Sequence, residues 1–262
     1  MAKRINAKMK RAARVSKKPF LSVIYPAFNE EENVKLMPRE LLPALAQLEH
    51  SRLFAHRGSY EVIIVDDGSI DGTARYAQKL AAADPHIRLI SHRRNRGLGA
   101  AIRTGIKHAH GELLVTIDGD YTFHPRQIKN LLARFSIGDV DCVIGSPTLR
   151  GYGKNVPRYR IFLSKGVNAL YRILLRKKIT AVSPIFRLYK TDQLKKLHLS
   201  SNRFEINAEI LFKLLQDRRR VVEIPALLTT RKQGVSKLNN AREIKNHLLL
   251  LAKMAAWTVR RR

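Results

Sequence analysis

Asp118, Gly119 and Asp120 close the stretch ELLVTIDGD, where an apolar, β-branched run ends in two carboxylates one residue apart. Two hard oxygen donors at that spacing can share one Mg2+ or Mn2+ and leave coordination positions open for phosphate oxygens. Alone, such a pair is weak evidence, because Asp-Gly is also ordinary turn chemistry. Two further apolar runs end in acids as well: LSVIY (21–25) leads into PAFNEEEN (26–33), and EVIIV (61–65) into DDGSIDGT (66–73).

These groups can act together only if a sheet gathers the three strand ends. Runs at 21–25, 61–65, 87–90, 112–117 and 141–145 alternate with helical patterns over roughly 33–48, 71–83, 98–109 and 126–136. Such alternation predicts an α/β fold, a doubly wound, mainly parallel sheet with helices on both faces. The strands are apolar throughout, as burial on both faces requires. In such sheets ligands bind beyond the carboxyl ends of the strands, where all three acidic segments would open.

Neighbouring motifs admit simpler readings. DDGSIDG has Asp67, Ser69, Asp71 and Gly72 at calcium-loop spacing, but the twelfth position is Gln78, and a strand precedes it, so calcium is rejected. Asp71 is instead expected to cap the following helix. RNRGLGAAIRTG (94–105) carries Gly97 and Gly99, yet the third fingerprint position holds Ile102, so a dinucleotide cofactor is rejected. A helix start at Gly97 can still approach ligand phosphates, with Ala101, Gly105 and Ala109 as its small, sheet-packing face.

Lys and Arg number 50 against 21 acids, a net charge of +29, so an anionic partner is expected. Between Cys142 and Phe204 the only acid is Asp192. The single cysteine excludes a disulfide within the chain and reads as a small buried residue. Residues 1–19 form a basic N-terminal arm without the apolar core of a signal peptide. Residues 241–262 read as an amphipathic, basic helix, either packed on the core or lying in a bilayer interface with Trp257. No apolar window is long enough to span a membrane.

In this order, SVIYPAFNEEENV, VDDGSIDGT, NRGLGAAIRTG and IDGD resemble the family 2 glycosyltransferases of GT-A fold, and among them the polyprenyl-phosphate glycosyltransferases of dolichol-phosphate mannosyltransferase type. The resemblance covers about Leu21 to Leu238 and assigns residues 20–240 to a catalytic domain. It implies a nucleotide-diphosphate sugar donor beside Pro26, Ala27, Asn29 and Glu30, with Asp66 or Asp67 on the base or ribose. Asp118 and Asp120 would hold Mg2+ or Mn2+ on the diphosphate, with Gly119 between them. Thr122 stands where the mannosyltransferase type often has a metal-completing Gln.

The later matches are RIFLSKGVN (160–168), SPIFRLYK (183–190) and RKQGVSKL (231–238). They imply an acceptor-phosphate site at Arg160 and Ser164, joined by Arg187. Arg150 would substitute for an arginine common in the family where this chain has Pro147. Arg231 and Lys237 would close over the diphosphate. The reaction expected is inverting hexose transfer, from a donor of GDP-mannose or UDP-glucose type, to a dolichyl or undecaprenyl phosphate. The enzyme would act peripherally on the cytoplasmic face of a membrane, attached by its basic tails or by a membrane-protein partner.

A phosphate acceptor is already anionic and needs no general base, which fits the shortage of acids in the second half. Glu209 would brace Arg160 or Arg187, or else be an exposed helix acid; His124 would serve as base only for a hydroxyl acceptor. The nearer alternative is therefore a glycosyltransferase acting on a soluble or glycan hydroxyl. The remote one is a basic nucleic-acid-binding protein, disfavoured by the acidic strand ends and by an aromatic content of 7%.

Overall fold

The computed structural model describes residues 18–54, 58–150, 158–175, 177–231, 233 and 240–260; within 158–165, and at 167, 240, 241 and 258–260, it describes the backbone only. The chain runs β1 (Leu21–Ala27), α1 (Glu31–Glu40), α2 (Leu42–Glu49), β2 (Tyr60–Asp66), α3 (Thr73–Ala83), β3 (Ile87–Ser91), α4 (Leu98–His108) and β4 (Leu113–Thr116). There follow a 3₁₀ turn (Pro125–Gln127), α5 (Ile128–Ser136), β5 (Cys142–Ser146), α6 (Pro147–Arg150), α7 (Arg158–Leu175) and β6 (Arg187–Lys190). The last elements are α8 (Thr191–Lys195), α9 (Ile206–Gln216), β7 (Val221–Pro225) and α10 (Asn240–Arg260).

Seven strands form one sheet in the order β3-β2-β1-β4-β6-β5-β7. It is mainly parallel, as expected; β6 alone runs antiparallel to its neighbours β4 and β5. Two apolar layers cover it. Val23, Tyr25 and Val115 pack beneath Val34 and Met37 of α1 and Leu131 of α5. On the opposite face Ile24, Ile63 and Leu114 meet Ile102 of α4, Tyr171 of α7, and Ile210 and Leu211 of α9. Burial of this kind removes roughly 1.5–3 kcal/mol per large side chain from water and fixes the strand register.

The expected helix over 33–48 is two helices meeting at Leu41. Pro43 lies in the first turn of α2, where its missing N–H is harmless, and it disfavours helical continuity from the residue before it. Gly105 of α4 sits so close to β1 that an added Cβ would lie 2.6 Å from Ile24, which confirms the small-residue face. Cys142 is fully buried, and burial pushes its thiol up to about 12, in keeping with a packing role.

Candidate active site

Parallel pairing aligns the three acidic strand ends. Ala27 stands opposite Asp66 and Ile24 opposite Thr116, and the chain continues in register through Asp67 N to Ala27 O (2.8 Å) and Ile117 N to Ile24 O (3.2 Å). The segments 26–30, 66–73 and 118–122 therefore leave the sheet along one edge. The Tyr25 hydroxyl reaches up β1 and donates to the Gly119 carbonyl at 2.5 Å, tying the Asp-Gly-Asp turn down. A Cβ on Gly119 would lie 2.7 Å from the Pro26 carbonyl oxygen, so the residue between the aspartates must be glycine.

Thr122 binds both acids: its amide donates to Asp120 Oδ1 at 3.1 Å and its hydroxyl to Asp118 Oδ2 at 3.4 Å. Burial, reinforced by the charge of Asp120, pushes the Asp118 carboxyl well above the usual carboxylate range. Arg231 Nη2 lies 3.0 Å from Asp120 Oδ2. The chain after β7 delivers it by crossing the turn: Leu228 bridges Phe123, Thr229 N donates to Thr122 O (2.9 Å), and Leu227 exchanges two hydrogen bonds with the Gln127 side chain. Lys237 lies outside the described residues.

Among the described residues no three His, Cys, Asp or Glu side chains cluster as a complete metal cage. Asp118, Asp120 and the Thr122 hydroxyl form a partial shell of hard oxygens carrying excess negative charge. A shell of that type suits Mg2+ or Mn2+ that completes its coordination with diphosphate oxygens and water.

The loops after β1 and β2 interlock beside this turn. Asn29, in a left-handed conformation (φ 51°), accepts from Ile70 N through its side chain (2.9 Å), and its amide donates to Ser69 Oγ (2.9 Å). Glu30 N donates to Thr73 Oγ1, while the Glu30 carboxylate accepts from Asn33. The N-cap of α3 is Gly72; Asp71, one residue before it, accepts through Oδ1 from Thr73 N at 3.0 Å. Asp66 is buried, with Oδ1 accepting from Ser69 N.

Two of the expected donor-side residues are committed to bonds inside the protein. Both carboxylate oxygens of Asp67 are used internally, Oδ1 by His92 Nδ1 (2.6 Å) and Arg96 N (3.0 Å), Oδ2 by Gly97 N (2.7 Å). Of the aspartate pair, Asp66 is thus the better candidate for nucleoside recognition. The Gly97 amide is taken by Asp67, and those of Gly99 and Ala100 by the Asn202 carbonyl. The Gly97 φ of 94° and an added Cβ only 2.4 Å from Asn202 O explain the glycine.

On the acceptor side, Arg150 is exposed at the end of α6, following the carboxyl end of β5. Arg160 and Ser164 lie on α7, with side chains outside the described residues. Arg187, expected at the acceptor phosphate, is committed to the interior. It is fully buried in β6 and donates to the carbonyls of Pro184 (2.8 Å), Asn207 (2.7 Å), Ala181 (3.4 Å) and Val182, so it organises the preceding loop. Glu209 is neither exposed nor a partner of Arg187. Its buried carboxylate accepts from Ser200 N, Ser201 N (2.8 Å) and Lys213 Nζ (2.8 Å).

Sequence reasoning missed Glu223, whose carboxylate accepts from the amides of Thr180 (2.9 Å) and Ala181 (2.7 Å). With Asn168, which donates to Thr180 O (2.8 Å) and accepts from Val182 N (3.2 Å), it holds the 180–182 strap between α7 and the sheet. The one available signal was a carboxylate inside the apolar run VVEIP. His124 accepts from Arg126 N through Nδ1, a local cap of the 3₁₀ turn.

Comparison with known proteins follows from this geometry. The model of glycosyl transferase family 2 matches residues 22–197. Polyprenol monophosphomannose synthase of Mycolicibacterium smegmatis is 32% identical over 251 residues, covering 92% of this chain and 87% of the relative. Dolichol-phosphate mannosyltransferase of Pyrococcus furiosus is 32% identical over 241 residues; 90% of this chain is covered, but only 64% of that longer protein. Among solved structures, glucosyl-3-phosphoglycerate synthase of Mycobacterium tuberculosis, in complex with Mn2+, UDP and glucosyl-3-phosphoglycerate, superposes with a TM-score of 0.65. At 20% identity, with 92% and 82% of the two chains covered, that likeness shows the GT-A fold. The interlocked strand ends, the Asp-Gly-Asp turn and the family match over two thirds of its length agree: this chain is a glycosyltransferase and belongs to glycosyl transferase family 2.

Proposed function

We propose that the protein transfers a hexose, with inversion, from a nucleotide-diphosphate sugar to a polyprenyl phosphate at a membrane surface. The observation that carries this reading is the Asp118-Gly119-Asp120 turn at the carboxyl edge, capped by Thr122 and faced by Arg231 at 3.0 Å. The names of the two relatives favour mannose as the sugar and a polyprenol or dolichol phosphate as the acceptor.

A divalent cation held by Asp118, Asp120 and Thr122 would neutralise the diphosphate leaving group as the glycosidic bond breaks. Asp66 and the Asn29–Glu30 loop would orient the nucleoside end. Arg231 would turn from Asp120 to the diphosphate and add fixed positive charge to the developing anion. Arg150 and the positions 160 and 164 on α7 would receive the acceptor phosphate, whose anionic oxygen attacks the anomeric carbon directly. No base is required, consistent with Glu209 and Glu223 both being committed to backbone amides. Among the described residues no helix is long and apolar enough to cross a membrane.

Transfer of labelled sugar from GDP-mannose and from UDP-glucose into an organic-extractable product tests the reading, with polyprenyl phosphate and with Mn2+ or EDTA. A metal-dependent lipid product, lost in Asp120→Asn, supports it and identifies the donor. Metal-dependent donor hydrolysis without lipid product would overturn the acceptor and favour a soluble hydroxyl.

A further inference from the structure

A histidine with both ring nitrogens hydrogen-bonded inside a protein is held in one orientation and ties together the elements it bridges. His92 is such a residue. It stands one position past β3, where Ser91 pairs with Asp66, and its amide donates to Asp66 O at 2.8 Å. Its side chain is 6% exposed, and that of the neighbouring Asp67 is 4% exposed. Nδ1 lies 2.6 Å from Asp67 Oδ1, and Nε2 lies 2.9 Å from Thr104 Oγ1 on α4. Because a carboxylate only accepts, Nδ1 carries a proton, and in the neutral ring Nε2 accepts from the Thr104 hydroxyl.

Everything this ring touches leads to the donor edge. Asp67 completes its shell with the amides of Arg96 (3.0 Å) and Gly97 (2.7 Å), so one carboxylate gathers the loop between β3 and α4. That loop lies directly on the turn after β2: a Cβ on Gly68, whose φ is 73°, would stand 2.4 Å from the Arg94 carbonyl carbon. The same turn carries Asp66, whose Oδ1 accepts from Ser69 N, and Ser69 Oγ accepts in turn from Asn29 N of the loop after β1. His92 is therefore the point at which α4, residues 92–97 and the Asp66 turn are joined. The loop also presents Arg93, Arg94 and Arg96, all exposed, so the clamp fixes where their charge stands along this edge.

Two other roles fit less well. With both nitrogens engaged, the ring offers no free position to a metal or to a proton in transit, and a phosphate acceptor needs no base. Packing alone does not call for a histidine. An apolar ring would fill the space yet leave a buried carboxylate one donor short, and the adjoining turn would have to shift to repair it.

We infer that His92 is a positioning residue of the donor site, setting Asp67, and through it Asp66 and the 92–97 loop, in the arrangement that receives the nucleoside diphosphate. The inference rests on the nucleotide-sugar reading of the site. It concerns donor binding and leaves Asp118 and Asp120, held by their own contacts with Thr122, in place.

The test is binding of GDP and of UDP to the full chain with Mn2+, by titration calorimetry, beside Mn2+ titration without nucleotide. His92→Ala should weaken binding of the nucleotide that wild type takes by about 10- to 100-fold, as loss of a buried hydrogen bond to a carboxylate predicts, with Mn2+ affinity unchanged. His92→Asn, whose amide nitrogen takes the place of Nδ1, should recover most of that loss, whereas His92→Gln, whose amide falls at Nε2, should not. Thr104→Val, which frees Nε2 alone, should cost only about threefold. In the transfer reaction donor KM should follow the same order while kcat stays within about threefold of wild type. Circular dichroism checks folding, and should the alanine variant not fold, the asparagine and glutamine variants carry the comparison. Wild-type nucleotide affinity in His92→Gln would overturn the inference. So would an asparagine variant as weak as the glutamine one, or Mn2+ affinity falling in step with nucleotide affinity, since either marks a purely structural role. A wild type that binds neither GDP nor UDP would instead overturn the donor-site reading, and the inference with it.

Discussion

Arg231 forms an ion pair with Asp120, Nη2 to Oδ2 at 3.0 Å, so a residue carried by the segment after β7 occupies one of the two carboxylates suited to a metal. A cation bound there and this guanidinium compete for the same oxygen. Arg231→Ala should therefore bind Mn2+ in the absence of donor a few-fold tighter, about 3- to 10-fold given the modest worth of a partly exposed pair. In the presence of donor its kcat/KM should fall by about 10²-fold, because the same charge is lost from the diphosphate. Mn2+ titration by electron paramagnetic resonance, set beside steady-state kinetics, checks both; unchanged Mn2+ affinity would remove the competition.

Asp118 is buried next to Asp120, and the metal-free fold bears that like-charge contact. Asp118→Asn should relieve it, stabilising the metal-free protein by about 1 kcal/mol, or roughly 2–4 °C in Tm for a chain of this size. The same change should abolish transfer and the thermal shift produced by Mn2+. Scanning calorimetry in EDTA and in Mn2+ gives both readings, and a fall in Tm of the variant in EDTA would contradict the account.

Gly119 has no room for a side chain, since a Cβ would stand 2.7 Å from the Pro26 carbonyl oxygen. Gly119→Ala should cost about 1–3 kcal/mol of stability and displace the two aspartates together. Metal affinity and kcat should fall in proportion, whereas Gly138→Ala, which meets nothing within 4 Å but is strained by a φ of 94°, should cost stability alone and leave metal affinity and kcat intact. Urea unfolding and Mn2+ titration of the two variants distinguish local strain from general loss of fold.

His247 joins α10 to α7, and burial pushes its imidazole down to about 4 from 6.5. For a base with a lowered folded pKa, the unfolded chain binds the extra proton first. The contribution is complete above pH 6.5 and is lost as pH falls from 6.5 toward 4, by about 3 kcal/mol in total. His247→Gln should flatten the dependence of stability on pH across that window, seen in urea midpoints at pH 7, 5.5 and 4.5. An imidazole titrating near 6.5 by NMR would mean that the α7–α10 contact is open.

Arg187 and Glu209 illustrate how residue type misleads about role. Resemblance placed Arg187 on the acceptor phosphate and Glu209 as a brace for Arg160 or Arg187, and both are buried with their polar atoms bound inside the protein. Burial alone would raise the Glu209 carboxyl, but Lys213 and Ser201 outweigh it and hold it below the usual range. Glu209→Ala should accordingly destabilise by about 3–5 kcal/mol, the cost of stranding a buried partner, while activity per folded molecule persists. A selective rise in acceptor KM at unchanged stability would restore the recognition role.

The local pattern of the chain was enough to determine the first five strands, the helical stretches between them apart from the break at Leu41, and the Asp-Gly-Asp turn, because side-chain periodicity and turn chemistry act over a few residues. It also determined that the acidic segments would share one edge, since parallel βα units leave no other arrangement. Tertiary structure decided the rest. Strand β6 enters the sheet between β4 and β5 from far along the chain, and no local pattern announces a four-residue strand with a charge at its head. Whether Asp67, Arg187 and Glu209 face a ligand or the interior depends on which distant amides and carbonyls surround them. The contact of Arg231 with Asp120, and that of His92 with Asp67, likewise exist only once segments remote in sequence are packed side by side.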